Sequence, residues 1–281
     1  MTLCSVTKGE DIDDIVFSIV DQINHGIENS LPECQATRLD LVELYDVAGV
    51  KAMQLSDYGT ARSYFNTALL LLPTDHWNIC YALSLRLSFL FAKSAYSCGD
   101  VEKAYDALQT IVNEARHLSE KLDAYHLLVV ILHDREALEA AYTTTYEVLL
   151  QLGESIPDAF GQKEMKEMVH TTSKMLASLS KESLLGMREA EKQIEYILKF
   201  YSSIAVVSHS AKPAMVPFFT CRMVQLSMKH GLCKYSMIGK LIRIRCLLVD
   251  GSACFLVSSH KSVFAVLHRF CSVCSNELLG Y

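Results

Sequence analysis

Cysteine and histidine side chains are the groups in this sequence best suited to metal or nucleophilic chemistry. A C-x-x-C pair, Cys271 and Cys274, lies in the last part of the chain. Four further candidate ligands precede it, namely Cys246, Cys254, His260 and His268. A structural zinc site needs four ligands, usually supplied as two paired motifs. Only one C-x-x-C pair is present, so we interpret these cysteines as packed or surface thiols and predict no metal site.

Two histidines further up the chain give no better metal site. His126 and His133 are seven residues apart, which on one helix places them about 10 Å apart along the axis. A catalytic Cys–His pair has no local signature in the chain either. The sequence contains no G-x-x-x-x-G-K-[ST] loop, protein-kinase signature or histidine-kinase box. We predict no catalytic residue and no cofactor, and keep an enzyme of unrecognised class as an alternative.

Trp77, the only tryptophan, is a candidate for binding rather than catalysis. Tryptophan is enriched at the energetic centres of protein interfaces, so Trp77 is a possible partner anchor. The alternative is a buried residue that packs between helices, which we favour. Three methionines at helical spacing, Met165, Met168 and Met175, allow the same two interpretations, and for them we favour an ordinary core.

The elements that would position these residues follow most clearly from residues 38–73. The spacing of apolar residues predicts two amphipathic helices joined by a turn at Asp57, Tyr58 and Gly59. The predicted buried face of the first helix consists of Val42, Tyr45, Gly49, Ala52 and Leu55. That of the second consists of Ala61, Tyr64, Phe65, Ala68, Leu69 and Leu72. Pro73 ends the second helix because it has no N–H and restricts the residue before it.

Small residues on both predicted faces allow the two helix backbones to approach closely. The resulting packing signature is Gly49, Ala52, Ala61, Phe65, Ala68 and Pro73. Its spacing of small, aromatic and proline residues resembles that of a tetratricopeptide (TPR) repeat. Ala104 occupies the place of Ala61 in a second cycle of helix, turn and helix. Turns at positions 59, 99 and 134 predict a period of roughly 35–40 residues.

The remaining helices are predicted from the same rhythm. In chain order we predict helices at 11–29, 76–98, 101–116 and 119–133, a return helix that ends at Leu152, a helix that starts at 156–158, one at about 183–207, and one from Pro213 to His230. Thr74 and Asp75 would supply N-capping oxygens for the helix at 76–98. We predict an all-α fold, a TPR-like right-handed α-solenoid of antiparallel helix pairs over residues 11–239. Residues 240–281 form a divergent tail, either two short helices or a hairpin, which we expect to be less ordered than residues 36–153 and dispensable for their folding.

Composition limits the cellular setting. Hydrophobic residues make up 51% of the chain, with 5 prolines, 12 glycines and a net charge of −6. This balance suits a helical protein and gives no reason to expect nucleic acid or a membrane as partner. The N-terminus has no signal-like apolar region, and Arg243, Arg245 and Asp250 interrupt the most apolar run of the tail. We expect a cytoplasmic protein whose ten cysteines are reduced.

The run from Asp11 to Ile238 resembles the helical-repeat region of large signal-transduction ATPases. The segments that carry the resemblance are 19–24, 48–73, 76–87, 95–104, 121–125, 139–153 and 223–236. It implies a non-catalytic protein-interaction scaffold, the regulatory arm of a system that contains an ATPase or kinase domain. The chemistry-bearing motifs of that family are missing here. Besides an enzyme with a pocket between helices, a truncated remnant without independent function is the remaining alternative.

Overall fold

The structure, a computed structural model, describes residues 16–20, 22–23, 35–157, 161–178, 183 and 186–236. In these ranges regular structure is helical throughout, and the one β-type pairing is an isolated bridge between Glu189 and Leu232. The predicted all-α class is confirmed. The chain divides into two compact units, Met1–Ile131 and Leu132–Tyr281. The predicted boundary at 239 and the tail from 240 lie outside the described residues, as does most of the predicted helix at 11–29.

The first unit contains six named helices after a helical stretch at 16–20. They are α1 (Gln35–Gln54), α2 (Tyr58–Leu71), α3 (His76–Ile79), α4 (Tyr81–Ser97), α5 (Val101–Glu114) and α6 (Leu118–Asp134), whose last residues belong to the second unit. Helix α1 packs against α2, α2 against α4, and α4 against α5. The four longer helices α1, α2, α4 and α5 therefore pack in chain order, each against the next of the four.

The core of α1 and α2 is closed by an aromatic ring lying on a glycine. A Cβ atom added to Gly49 would lie 2.5 Å from Cε1 and 2.7 Å from Cζ of Phe65. Such distances are far inside van der Waals contact, so a side chain on Gly49 and the Phe65 ring cannot both occupy this space. Of the predicted α1 face, Val42, Tyr45, Gly49 and Ala52 are buried. Leu55 is an exception, because it lies beyond the end of α1 and is 66% exposed.

Three helix–helix junctions share one backbone geometry. The second residue after each helix has positive φ, namely Ser56 (61°), Gly99 (79°) and Glu136 (60°). Each junction makes the paired backbone hydrogen bonds of a Schellman motif, for example from the N–H of Asp57 to the carbonyl of Ala52 (2.9 Å) and from Ser56 to Met53 (3.0 Å). The equivalent pairs at the other junctions are Asp100 to Ala95, Gly99 to Tyr96, Ala137 to Leu132 and Glu136 to His133.

These junctions correct the predicted turn positions. The chain reverses at Ser56, and Tyr58 and Gly59 are already helical. The third reversal is likewise at Glu136 rather than at 134. The three left-handed residues are 43 and 37 residues apart, against a predicted period of roughly 35–40 residues. The glycine at 59 suggested the wrong position because the Schellman hydrogen bonds, rather than residue type, select the left-handed residue.

The predicted helix at 76–98 is broken. Cys80 leaves helical geometry at φ −126° and ψ 43°, which separates α3 from α4. Ser84 stabilises the break, because its Oγ lies 3.0 Å from the carbonyl oxygens of both His76 and Cys80. The predicted capping by Asp75 is also wrong, since its side chain makes no cap hydrogen bond. Its Oδ1 instead accepts from Nδ2 of Asn78 at 2.6 Å.

The second unit continues with α7 (Leu138–Gln151), α8 (Gln162–Ala177), α9 (Lys192–Ala211), a 3-10 turn (Pro213–Met215) and α10 (Val216–His230). Helix α9 packs against α7 and α10, and α10 packs against α8. The main buried side chains are Leu149, Leu198, Phe200, Tyr201, Ile204, Phe219 and Met223. Gly231, at φ 110°, ends α10 as the sequence predicts.

Two predicted helices of this unit begin later than expected. Helix α8 starts at Gln162, whereas Ile156 and Pro157 are non-helical and Ile156 is buried. Helix α9 starts at Lys192, after an extended stretch that forms the bridge to Leu232. The methionine face predicted on α8 is only partly buried, and Val169 is exposed. The sequence predicted both helices too early because the apolar periodicity continues through non-helical residues, such as those that form the bridge to Leu232.

Candidate functional site

Three side-chain rings and a guanidinium group lie in a row on the first unit. The ring centroids of His76 and Trp77 are 5.6 Å apart, and those of Trp77 and Tyr81 are 6.1 Å apart. The guanidinium carbon of Arg116 then lies 4.2 Å from the centre of the Tyr81 ring. We call these four residues, together with Ile79, the Trp77 surface.

Hydrogen bonds fix the Tyr81 end of the Trp77 surface. The Tyr81 hydroxyl donates to Oε2 of Glu120 at 2.7 Å and accepts the backbone N–H of Arg116 at 2.8 Å. The backbone N–H of His117 donates to the same Glu120 oxygen at 3.0 Å. Burial and the bond to Glu120 raise the pKa of Tyr81, and the bond from Tyr81 lowers the pKa of Glu120. The phenol is therefore neutral and Glu120 is ionised at neutral pH.

The His76 end is held by Ser84. Nδ1 of His76 lies 2.8 Å from Oγ of Ser84. The same Oγ lies 3.0 Å from the main-chain carbonyl oxygens of His76 and Cys80, so the Ser84 hydroxyl bonds to the ring and to the break between the two helices. Burial lowers the pKa of His76, against the opposing effect of Glu114 and Asp75. The imidazole is thus neutral at pH 7.

The His76–Ser84 pair does not have the arrangement of a nucleophile and its base. Ser84 is fully buried, so its oxygen cannot reach a substrate. Two backbone carbonyl oxygens at 3.0 Å also compete with the histidine for the Ser84 proton, whereas an activated nucleophile would give its proton to the histidine. The contact stabilises the break between α3 and α4 and fixes the orientation of the His76 ring.

Helix α3 exposes apolar side chains that a folded chain normally buries. None of its four residues is buried, although Trp77 and Ile79 are large and apolar, and Ile79 is 56% exposed. Trp77 is half-buried and also packs against the core shared by α4, α5 and α6. One part of the Trp77 side chain therefore packs and the other stays accessible, and its role as a partner anchor stays a prediction.

The predicted packing signature lies mostly in buried positions. Ala61, Phe65, Ala68 and Ala104 have no exposed surface, Ala52 has almost none, and Gly49 is buried, whereas Pro73 is half-buried. Gly49 and Phe65 contact each other directly. Ala61 and Ala104 are equivalent residues, because each donates its backbone N–H to the residue that begins its helix, Asp57 or Asp100, at 3.1 Å.

A buried ion pair joins α1 and α4. Oδ2 of Asp46 lies 2.7 Å from Nη1 of Arg86, whose side chain is 56% exposed. Oδ1 of Asp46 is buried and has no hydrogen-bond partner in the part of the chain that the structure describes. Burial raises the pKa of Asp46, and the attraction of Arg86 offsets this only in part. One exposed arginine therefore incompletely compensates a desolvated carboxylate.

A second polar network holds the second unit together around Glu154. Tyr201 donates its hydroxyl to Oε2 of Glu154 at 2.7 Å, and Arg222 donates Nε to the same oxygen at 2.9 Å and Nη2 to Oε1 at 3.3 Å. These contacts tie the segment after α7 to α9 and α10. Burial and the bond to Glu154 raise the pKa of Tyr201 well above its usual value, so the phenol cannot act as a base. The network is structural.

The described ranges contain no candidate site for a metal ion and no disulfide. There, no group of three or more His, Cys, Asp or Glu side chains could hold a metal ion. The four described cysteines, Cys80, Cys98, Cys221 and Cys233, form no disulfide. Burial raises the pKa of Cys221, which keeps that thiol protonated and unreactive. The C-x-x-C pair and its neighbours from 246 to 274 lie outside the described residues.

The described helices also bear on membrane insertion. None of the helices within the described ranges combines the length and the apolar character that a bilayer crossing requires.

Comparisons of the chain with protein-family models, curated proteins and solved structures found no match. The resemblance to the repeat region of signalling ATPases remains an expectation from the sequence.

Sequence reasoning identified Trp77 but missed its partners. Tyr81 follows Trp77 by four residues, which on the predicted continuous helix at 76–98 would place both side chains on one face, so the sequence did carry a signal for this pair even though the helix is broken at Cys80. Asp46 also had a signal, since it is charged yet lies at the edge of the apolar stripe of Tyr45 and Gly49. Arg116 comes from a loop 35 residues after Tyr81, and no local pattern connects them.

Proposed function

We propose that this protein is a non-catalytic interaction scaffold built from TPR-like helical repeats. The observation that carries the proposal is the recurrence of one junction at Ser56, Gly99 and Glu136. At each, a left-handed residue is followed by a helix whose fourth residue is a fully buried alanine, namely Ala61, Ala104 and Ala141. Recurring helix pairs with small residues at their contacts are typical of solenoids, which use extended surfaces for binding.

The proposed solenoid is right-handed, and its partner is a protein that contains an ATPase or kinase domain. The resemblance of residues 11–238 to the repeat arm of signalling ATPases supports this context. In such an arm, a bound protein acts through its differential affinity for two positions of the neighbouring domain. The Trp77 surface is the proposed anchor, because Trp77 and Ile79 are accessible on a helix that buries no side chain.

Affinity capture with chemical cross-linking tests this function. The full chain is used as bait in extract from its own source, and cross-linked partners are identified by mass spectrometry. We expect a protein with an ATPase or kinase domain, cross-linked near α3, and reduced capture by Trp77→Ala and Ile79→Ser. Val169→Ser, which removes an exposed apolar side chain from α8, is the matched control. Absence of any protein enriched above control resin would contradict the proposal.

The non-catalytic part of the proposal has its own measurement. The purified chain is incubated with ATP and phosphate release is measured against a blank. We expect none, because no phosphate-binding loop is present in the sequence. Hydrolysis that survives repurification and follows the protein through a second column would favour the enzyme alternative.

A further inference from the structure

In the Trp77 surface, hydrogen bonds hold the His76 and Tyr81 rings in place, and a cation lies on the Tyr81 ring but not on the Trp77 ring. Arg116 already stacks on Tyr81, and Ser84 and Glu120 fix the His76 and Tyr81 side chains. Trp77 contacts the rings of its two neighbours and packs in part against the core of α4, α5 and α6, and no cation lies over its ring in the described part of the chain. Among aromatic side chains, tryptophan attracts cations most strongly.

The charges near Trp77 are the Arg116 guanidinium and two carboxylates, Asp75 and Glu114, both of which act on the neighbouring His76. Asp75 directly precedes His76 and is exposed, and Glu114 is exposed two residues before Arg116, whose side chain covers Tyr81. The neutral imidazole of His76 adds no positive charge. The whole chain has a net charge of −6, which also favours approach of a basic partner.

From this arrangement we infer that the Trp77 surface binds a basic protein segment, with a Lys or Arg side chain over the Trp77 indole between Asp75 and Glu114. An apolar residue of the same segment would cover Ile79. The inference rests on the proposed scaffold function and specifies the chemistry of its partner.

A peptide titration tests the inference directly, because Trp77 is the single tryptophan and its fluorescence reports on this site alone. The full chain is titrated with an acetylated, amidated peptide of three Lys-Gly repeats. The same peptide with glutamate in place of lysine serves as the control ligand. We expect a saturable change in Trp77 emission with the lysine peptide, weakened by added salt, and no change with the glutamate peptide.

Charge variants then locate the binding. The double variant Asp75→Asn with Glu114→Gln should weaken lysine-peptide binding by about three- to tenfold, the effect of two exposed ion pairs. Asp40→Asn with Glu43→Gln removes two exposed carboxylates from α1 and controls for net charge, with a change of less than about twofold. All four side chains are at least partly solvent-accessible, so the fold should tolerate both double variants.

Three results would overturn the inference. They are no saturable response to the lysine peptide, an equal response to the glutamate peptide, and equal weakening by the two double variants. If the peptide fails while Trp77→Ala still abolishes capture of a specific partner from extract, the scaffold function stands and the basic character of the partner is wrong. If no specific partner is captured, the scaffold function itself fails.

Discussion

At the scale of single residues, the contact between Gly49 and Phe65 determines how closely α1 and α2 approach. Gly49→Ala would place a Cβ atom 2.5 Å from a ring carbon of Phe65, which is fully buried and cannot turn aside. Gly59→Ala meets only Oδ1 of Asp57 at 3.7 Å. Because both changes gain helix propensity, we expect Gly49→Ala to be less stable than Gly59→Ala by about 1–3 kcal/mol.

Chemical denaturation of these two variants measures that difference. Phe65→Leu combined with Gly49→Ala provides the control, because a smaller side chain leaves space for the new methyl group. We expect Gly49→Ala to lower the free energy of unfolding less when it is combined with Phe65→Leu than when Phe65 is present. Equal denaturation midpoints for the alanine variants at 49 and 59 would show that the proposed packing register is wrong.

The buried carboxylate of Asp46 should make the stability of the fold depend on pH. Burial raises its pKa above the usual 3.8, so the folded state retains the proton more strongly than the unfolded chain. Stability therefore falls as the pH rises through the range above 3.8. Asp46→Asn removes this effect, so the variant should gain stability relative to the natural protein between acid and pH 7.

The measurement is the free energy of unfolding of both proteins at several pH values in that range. Asp40→Asn removes an exposed carboxylate from the same helix and controls for the change in net charge. A stability difference between Asp46→Asn and the natural protein that stays constant with pH would mean that Arg86 fully compensates the buried charge.

At the scale of elements, the three junctions use the same backbone with three different residues. Ser56 and Glu136 adopt a left-handed conformation that strains a residue with a Cβ atom by about 1–2 kcal/mol, while Gly99 adopts it freely. We expect Ser56→Gly and Glu136→Gly each to stabilise the fold by roughly 0.5–1 kcal/mol, after the greater freedom of glycine in the unfolded chain is subtracted. Gly99→Ser should have the opposite effect, and denaturation midpoints measure all three changes.

The same junctions show which part of the fold the sequence could predict. Apolar periodicity placed α1, α2, α5 and α7 within a few residues, because each buries one continuous stripe. The left-handed residue at Ser56 and the break at Cys80 were missed, since no glycine or proline marks either position. Hydrogen bonds from the preceding turn and from the Ser84 side chain produce them. Such contacts depend on the folded geometry and leave no composition signal.

The candidate site was predictable only as far as local spacing reaches. The sequence indicated Trp77 as a possible anchor and placed it on a helix. The cation stacked on Tyr81 comes from a loop 35 residues away, and the position of that loop depends on how α5 packs against α4. Ile79 is exposed next to the helix break at Cys80, and the apolar periodicity of the sequence gave no indication of that break.

At the scale of the whole molecule, each unit is closed by its own polar contacts between distant segments. In the first unit, Arg62 on α2 pairs with Asp100 at the start of α5 at 3.0 Å. In the second, Glu154 joins α9 and α10 through Tyr201 and Arg222. Exposed pairs of the first kind add little stability, while the buried, fully bonded Glu154 network specifies one arrangement of its helices.

The described part of the second unit ends in a short pairing that predicts where the chain can be cut. Leu232 donates its backbone N–H to the carbonyl of Arg188 at 2.9 Å and accepts from Ala190 at 3.0 Å, and Ser236 accepts the N–H of Cys233. Ending the chain after Ser236 keeps all of these contacts. Because the sequence predicts that the tail from 240 is dispensable, this shortened protein should keep the thermal transition of the full chain.

Ending the chain after His230 is the matched control, since it removes the pairing with Arg188 and Ala190. The cut also removes the bond from the Gly231 N–H to the Ser227 carbonyl, and three lost backbone hydrogen bonds of about 1 kcal/mol each should lower the Tm by roughly 6–12 °C. Thermal unfolding and limited proteolysis of the three lengths test both expectations. If the protein ending at Ser236 aggregates or loses its cooperative transition, the predicted boundary at residue 239 is wrong, because packing beyond the described residues is then required for the second unit to fold.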